Sequence, residues 1–189
     1  MNDEVDIRYT EADDAPYLKK WLSDPTTARW WPTLHTDEAE LNHAVANWIG
    51  FYRHMSSLTT TRKGKPVGIA TLCLQPYRKL SHQAEISIVV APDERNKGIG
   101  TDLMRNLIHL AKTAFKLELI HLNVYADNPA AHLYSRFGFK SFGYQEKWIR
   151  EADGSYTSRT FMELHLNEYH DPKSQNQSHR TNAGEKSPA

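Results

Sequence analysis

Six residues, Arg95-Asn96-Lys97-Gly98-Ile99-Gly100, bring two cations and two glycines to the point where a helical pattern begins. Glycines let a backbone approach an anion closely, and the free amides of a first helical turn donate to it along the helix dipole. Arg95 and Lys97 add charge, so the segment reads as a phosphate-binding turn. A nucleoside triphosphate loop would need Lys then Ser or Thr after its last glycine, and Gly100 is followed by Thr101-Asp102. A dinucleotide fingerprint fails as well, because Leu103 stands where a third glycine belongs. Ten histidines are dispersed with no pair at helical spacing, so no metal is expected. Cys73 is alone, which rules out an intrachain disulfide and suits a reducing compartment.

The elements around this turn follow from periodicity. Val5 to Tyr9 alternates as a strand, and the helix opened by Thr10, Glu11, Asp13 and Asp14 carries Tyr17, Leu18, Trp21 and Leu22 on one face. Asp24-Pro25 ends it. A second helix, capped at Thr36 with Asp37 and Glu38, is predicted to reach Met55. Ser57 to Arg62 and Pro66 to Leu74 form a hairpin across Lys63-Gly64-Lys65, and Ala84 to Ala91 is the next strand. Ile99 to Phe115 shows a helical stripe of Leu103, Leu107, Leu110 and Ala111. Leu119 to Tyr125 is a strand, Pro129 to Phe137 a short helix capped by Asn128, and Phe139 to Arg150 and Tyr156 to Leu166 a final hairpin. This order predicts a single α/β (α+β) domain over residues 5–166: a mixed, mostly antiparallel sheet flanked by helices. Residues 167–189, rich in Asn, Gln, Ser, Lys and His, are expected to form a disordered tail.

Bulk composition excludes several classes. The chain has 23 basic and 23 acidic side chains among 189 residues, so nothing draws it to nucleic acid or an anionic membrane. No apolar run approaches the roughly 20 residues of a membrane span, and the acidic N-terminus resembles no export signal. The protein is read as cytoplasmic.

A strand, then Arg-x-x-Gly-x-Gly opening a helix, then a strand followed by Leu133-Tyr134-Ser135-Arg136-Phe137-Gly138-Phe139, resembles the GNAT superfamily of acyl-CoA-dependent N-acyltransferases. The resemblance covers roughly residues 5–166. It implies acetyl-CoA as co-substrate, with Asn96, Lys97, Gly98, Ile99, Gly100 and Thr101 around the pyrophosphate. It also implies a pair of splayed strands, so that Ile88, Val89 and Val90 can pair with pantetheine. Tyr134 corresponds to the general acid that protonates the departing thiolate, and the amide of Val89 or Val90 to the oxyanion donor. Glu85 lies near where some members place a base, and a solvated surface glutamate is an equal reading of it. Members usually carry an asparagine seven residues before the tyrosine. Here Asp127 holds that place and Asn128 follows it, so Asn128 is both a candidate CoA contact and a plain helix cap.

The acceptor is expected between the first two helices and the last hairpin, beside Trp30 and Trp31. Residues 1–48 hold ten acidic side chains against four basic ones, a net of −6. These acids either favour a cationic amine or merely cap helices. The segment from Trp21 to Pro32 resembles members that acetylate aminoglycosides, polyamines or ribosomal-protein N-termini. Three readings follow: transfer to a small cationic primary amine, protein N-terminal or lysine acetylation, and a non-catalytic CoA-binding regulator. A homodimer is left open.

Overall fold

The computed structural model describes residues 4–34 and 36–171. Seven strands form one sheet: β1 (Val5–Tyr9), β2 (Ser57–Arg62), β3 (Lys65–Leu74), β4 (Gln83–Val90), β5 (Leu119–Tyr125), β6 (Lys140–Arg150) and β7 (Tyr156–His165). Their order is β1-β2-β3-β4-β5-β7-β6, and every pair is antiparallel except β4 with β5. That parallel pair needs a crossover, supplied by α4 (Ile99–Thr113).

Helices cover both faces because each strand alternates. Ala84 and Ile86 of β4 face α4, whose Leu103, Met104, Leu107 and Ile108 are almost fully buried with them. On the opposite face, Ile69 and Val89 pack under α1 (Ala15–Leu22) and α3 (Glu38–Ile49) through Leu18, Trp21, Leu22, Leu41 and Trp48. Two cores thus share one sheet.

The N-terminal segment is tied down by a buried polar network. The Arg8 guanidinium donates two hydrogen bonds to Asp14, at 2.7 and 2.8 Å, and the Thr59 hydroxyl donates to the same carboxylate at 2.8 Å. Farther along, Trp48 Nε1 donates to Thr71 at 2.8 Å, which fixes α3 to β3. Each of these groups would be costly to bury unpaired.

Several boundaries differ from the pattern-based expectation. The first helix opens as a 3₁₀ turn over Ala12–Asp14, and Asp24 caps a separate four-residue helix, α2 (Pro25–Ala28). Asp37 rather than Thr36 caps α3 by accepting from Ala39 and Glu40. α3 tightens into a 3₁₀ turn after Ile49, and left-handed Met55 (φ 52°) stops it. α4 ends at Thr113, two residues early. Residues 167–171 are described: Tyr169 packs on the core and Asp171 accepts from Arg105 at 3.0 Å. Most of the expected tail, 172–189, lies outside the described residues.

Candidate active site

β4 and β5 pair only over Gln83–Glu85 against Leu119–His121, whereas β3 follows β4 all the way to Val90. Beyond Glu85 the two parallel strands part, and one edge of Ile86 to Val90 is left without a strand partner. The Ala91 amide donates to Val67 of the β3 side at 2.8 Å. Amides two residues apart point the same way, so that of Val89 faces β3 while those of Ile88 and Val90 face the gap. The pair of candidate oxyanion donors therefore resolves to Val90.

The gap opens into a cavity of about 930 Å³. At one end the turn enters α4 through Asn96 (φ 61°) and Gly98 (φ 87°), both left-handed. Glycine takes that conformation without penalty, and the turn so formed leaves the amides of Asn96 to Gly100 without acceptors among the described residues. Asn96, Gly98, Gly100 and Thr101 line the cavity. Ile99 does not: its side chain is buried in the core, so only its amide is available. Lys97 stands outside the lining too, 3.4 Å from Glu94. Arg95 lines the cavity but turns toward α2, donating to the hydroxyls of Thr26 at 3.1 Å and Thr27. A row of free amides at a helix N-terminus, beside a cavity with Arg95 and Arg136 on its wall, fits a pyrophosphate.

Midway along, Tyr134 of α5 (Ala130–Arg136) is buried against Phe139. Its hydroxyl makes no hydrogen bond among the described residues, its ring lines the cavity, and burial raises its pKa above the ordinary phenol value. It is held protonated. Asn128 Oδ1 accepts from the Ala130 amide at 2.9 Å, so the cap reading holds for its oxygen, and the residue also lines the cavity.

Glu85 lies on the cavity wall with Ser87 and Val89. Its carboxylate accepts from Asn123 Nδ2 at 2.6 Å, a partner on β5 that the sequence did not single out. Beside it on β3, the Cys73 thiol is pushed up to about 11, chiefly by burial, with the Ser87 hydrogen bond opposing and Glu85 adding repulsion.

Past Glu85 the walls are aromatic. Trp30 meets Tyr125 edge-on at 6.1 Å, and Tyr125 meets Trp148 at 5.1 Å. All three line the cavity, as does Trp31. Trp31 however stacks on Trp48 at 5.0 Å, which makes it part of the core beneath α3 as well. Trp148 arrives there through a bulge: the β6–β7 register shifts between Gln145 and Ile149, and Lys147 is left-handed (φ 49°). Arg29 lies over Trp30 at 4.5 Å and Arg159 over Trp148 at 4.4 Å. Five of the ten N-terminal acids are engaged elsewhere, as the capping reading expects: Asp14 by Arg8, Asp24 and Asp37 as caps, Glu38 by Lys19, and Glu40 by the Leu34 amide. None of them lines the cavity. Among the described residues no cluster suits a metal ion, and no helix is long and apolar enough to cross a membrane.

Residues 15–139 match the sequence profile of the acetyltransferase (GNAT) family. The chain belongs to that family. Like other GNAT proteins it is an N-acetyltransferase, and its fold is the family's mixed sheet with a splayed strand pair. It is 31% identical over 84% of its length to an L-amino acid N-acetyltransferase of Escherichia coli (strain K12), of which 96% is covered. It is 33% identical over 76% of its length to a spermidine N(1)-acetyltransferase of Vibrio cholerae, of which 83% is covered. A structure from Salmonella typhimurium solved with acetyl-CoA superimposes with a TM-score of 0.71 at 21% identity, spanning 89% of this chain and 97% of that one. This GNAT chain keeps Tyr134 and the glycine turn on one cavity, and Glu85 on the same wall.

Proposed function

We propose that the protein transfers an acetyl group from acetyl-CoA to a primary amine of a small molecule that arrives as an ammonium ion. The observation that carries this is the placement of an unpaired, protonated phenol and a carboxylate along one cavity, between a pyrophosphate-sized turn and an aromatic vestibule. Acetyl-CoA held there would supply a thioester carbonyl to the attacking amine. The turn from Asn96 to Gly100 holds phosphate oxygens with its backbone amides, with the Thr101 side chain beside them on the cavity wall, and the free edge of Ile88 to Val90 takes an extended amide chain as a strand would. Glu85, oriented by Asn123, accepts the proton the ammonium must lose before its nitrogen can attack. The Val90 amide donates to the carbonyl oxygen as negative charge builds on it. Tyr134 gives its proton to the sulfur as the C–S bond breaks.

Supporting this reading are the relatives that acetylate amino acids and spermidine, both small amines. The direct test is thiol release from acetyl-CoA against amino acids, polyamines, aminoglycosides and N-terminal peptides. Turnover with a free small amine, and none with peptides, is the expected result. Binding of acetyl-CoA without thiol release from any amine would overturn it.

A further inference from the structure

On the reading that the aromatic end of this cavity receives the amine, Arg95 takes a part that its place beside the glycine turn does not suggest. Its Nη1 donates to the Thr26 hydroxyl at 3.1 Å and to the Thr26 carbonyl at 3.4 Å, and Nη2 donates to the Thr27 hydroxyl. Its Nε donates to the Val90 carbonyl at 3.4 Å. Among the described residues, no other group hydrogen-bonds α2 to a distant part of the chain; its remaining bonds run to Asp24 and within residues 25–31. A planar fork with its arms on two threonines has no open edge for a two-pronged grip on a phosphate. A phosphate held in that way would have to break the bonds to α2.

Both ends of this bridge meet groups that the proposed reaction uses. α2 is four residues long, too short to be stable alone, and the Trp30 and Trp31 amides donate to the Thr27 and Ala28 carbonyls at 2.9 Å each. Where α2 sits, Trp30 sits, and with it the edge-on contact to Tyr125. At the other end, the Val90 carbonyl shares a peptide plane with the Ala91 amide, which donates to Val67 at 2.8 Å. Held by Arg95 on one side and by the β3 side on the other, that plane is restrained, so the neighbouring Val90 amide keeps its aim into the gap. We infer that Arg95 is a positioning residue for the acceptor and not a phosphate ligand: one guanidinium fixes the Trp30 wall relative to the strand edge where the thioester carbonyl would lie.

The test compares Arg95→Gln, Arg95→Lys and Thr27→Val with the parent protein, each checked by a thermal melt. Hydrogen–deuterium exchange of residues 25–31 reads the bridge directly, calorimetry with acetyl-CoA reads the donor site, and thiol release with spermidine, L-phenylalanine and kanamycin gives the amine KM. In Arg95→Gln, exchange at the Trp30 and Trp31 amides is expected to rise about tenfold, as is the KM of any of the three amines that turns over. The acetyl-CoA dissociation constant should change by less than about threefold. Arg95→Lys should resemble Arg95→Gln, because an ammonium keeps the charge but cannot span Thr26, Thr27 and Val90 together. Thr27→Val, which keeps the shape and removes one acceptor, should show a smaller version of the same change, and combined with Arg95→Gln it should add nothing. An acetyl-CoA dissociation constant raised about tenfold in Arg95→Gln and restored in Arg95→Lys would make Arg95 a phosphate ligand and overturn the inference. Unchanged exchange at residues 25–31, or an unmoved amine KM, would overturn it as well. If none of the three amines releases thiol, the acetyltransferase reading falls, and exchange and calorimetry still decide whether Arg95 serves α2 or the phosphate.

Discussion

At the residue scale the proposed reaction leans most on Tyr134, and its environment sets both its strength and its limits. Burial holds the phenol neutral but makes it a weaker acid than free tyrosine. An ordinary thiol titrates near 8.5 and a phenol near 10, so proton donation to a solvated thiolate would run uphill. The proposed role therefore requires the departing thiolate to be disfavoured in the cavity by more than the phenolate is. Since the hydroxyl has no partner, removing it leaves no buried group unpaired. Tyr134→Phe is therefore expected to lower kcat by about 10²- to 10⁴-fold with the acetyl-CoA dissociation constant and the melting temperature unmoved. Steady-state kinetics with calorimetry and a thermal melt check this, and an unchanged kcat removes Tyr134 from the chemistry. Glycine spacing and Leu-Tyr-Ser-Arg-Phe-Gly-Phe made this end of the site legible. The aromatic end of the cavity was legible only in Trp30 and Trp31: Asn123 and Tyr125 lie on β5 and Trp148 on β6, and only the pairing of β5 with β7 and β7 with β6 brings them together.

At the element scale the site depends on two local departures from regular structure. The first is the left-handed turn before α4. Gly98 at φ 87° has open space where a Cβ would stand, so an alanine there would strain the backbone without clashing. Gly98→Ala should cost roughly 1 kcal/mol of stability and weaken acetyl-CoA, since the strain is relieved by rotating the amides away from the phosphates. Urea unfolding and acetyl-CoA titration read the two effects separately, and unchanged affinity would mean that the turn does not hold the donor. The second is the β6 bulge. A strand that ran without a bulge would place Trp148 by simple alternation, and nothing in Lys147 or its neighbours announces an irregularity. Strand and helix types were readable from periodicity throughout, yet α2 was hidden because four residues that begin with a proline leave no period to detect.

At the scale of the whole molecule, two cores on opposite faces of one sheet must stay in register for the cavity between β4 and β5 to keep its shape. Asp14 fastens the helical layer that carries Trp30 to β1 and β2. Burial alone would raise its pKa, but the hydrogen bonds from Arg8, the Glu11 amide and Thr59 outweigh it and hold the carboxyl below its usual range. A carboxylate depressed in the folded state contributes fully above its unfolded pKa of about 3.9, and that contribution disappears as pH falls through the lower folded value. Asp14→Asn is expected to cost about 2 kcal/mol near neutral pH, measured by denaturant unfolding, with the gap from the parent closing below about pH 4. A gap independent of pH would show that the ion pair is not its source. Cys73, the one thiol among 189 residues, is set into the cavity wall near Glu85, where burial pushes its thiol up to about 11. It follows that an alkylating reagent meets a single slow target whose labelling rate climbs with alkalinity and drops when the cavity fills, so intact-mass spectrometry can read occupancy from the protein itself, with no tag and no substrate turnover.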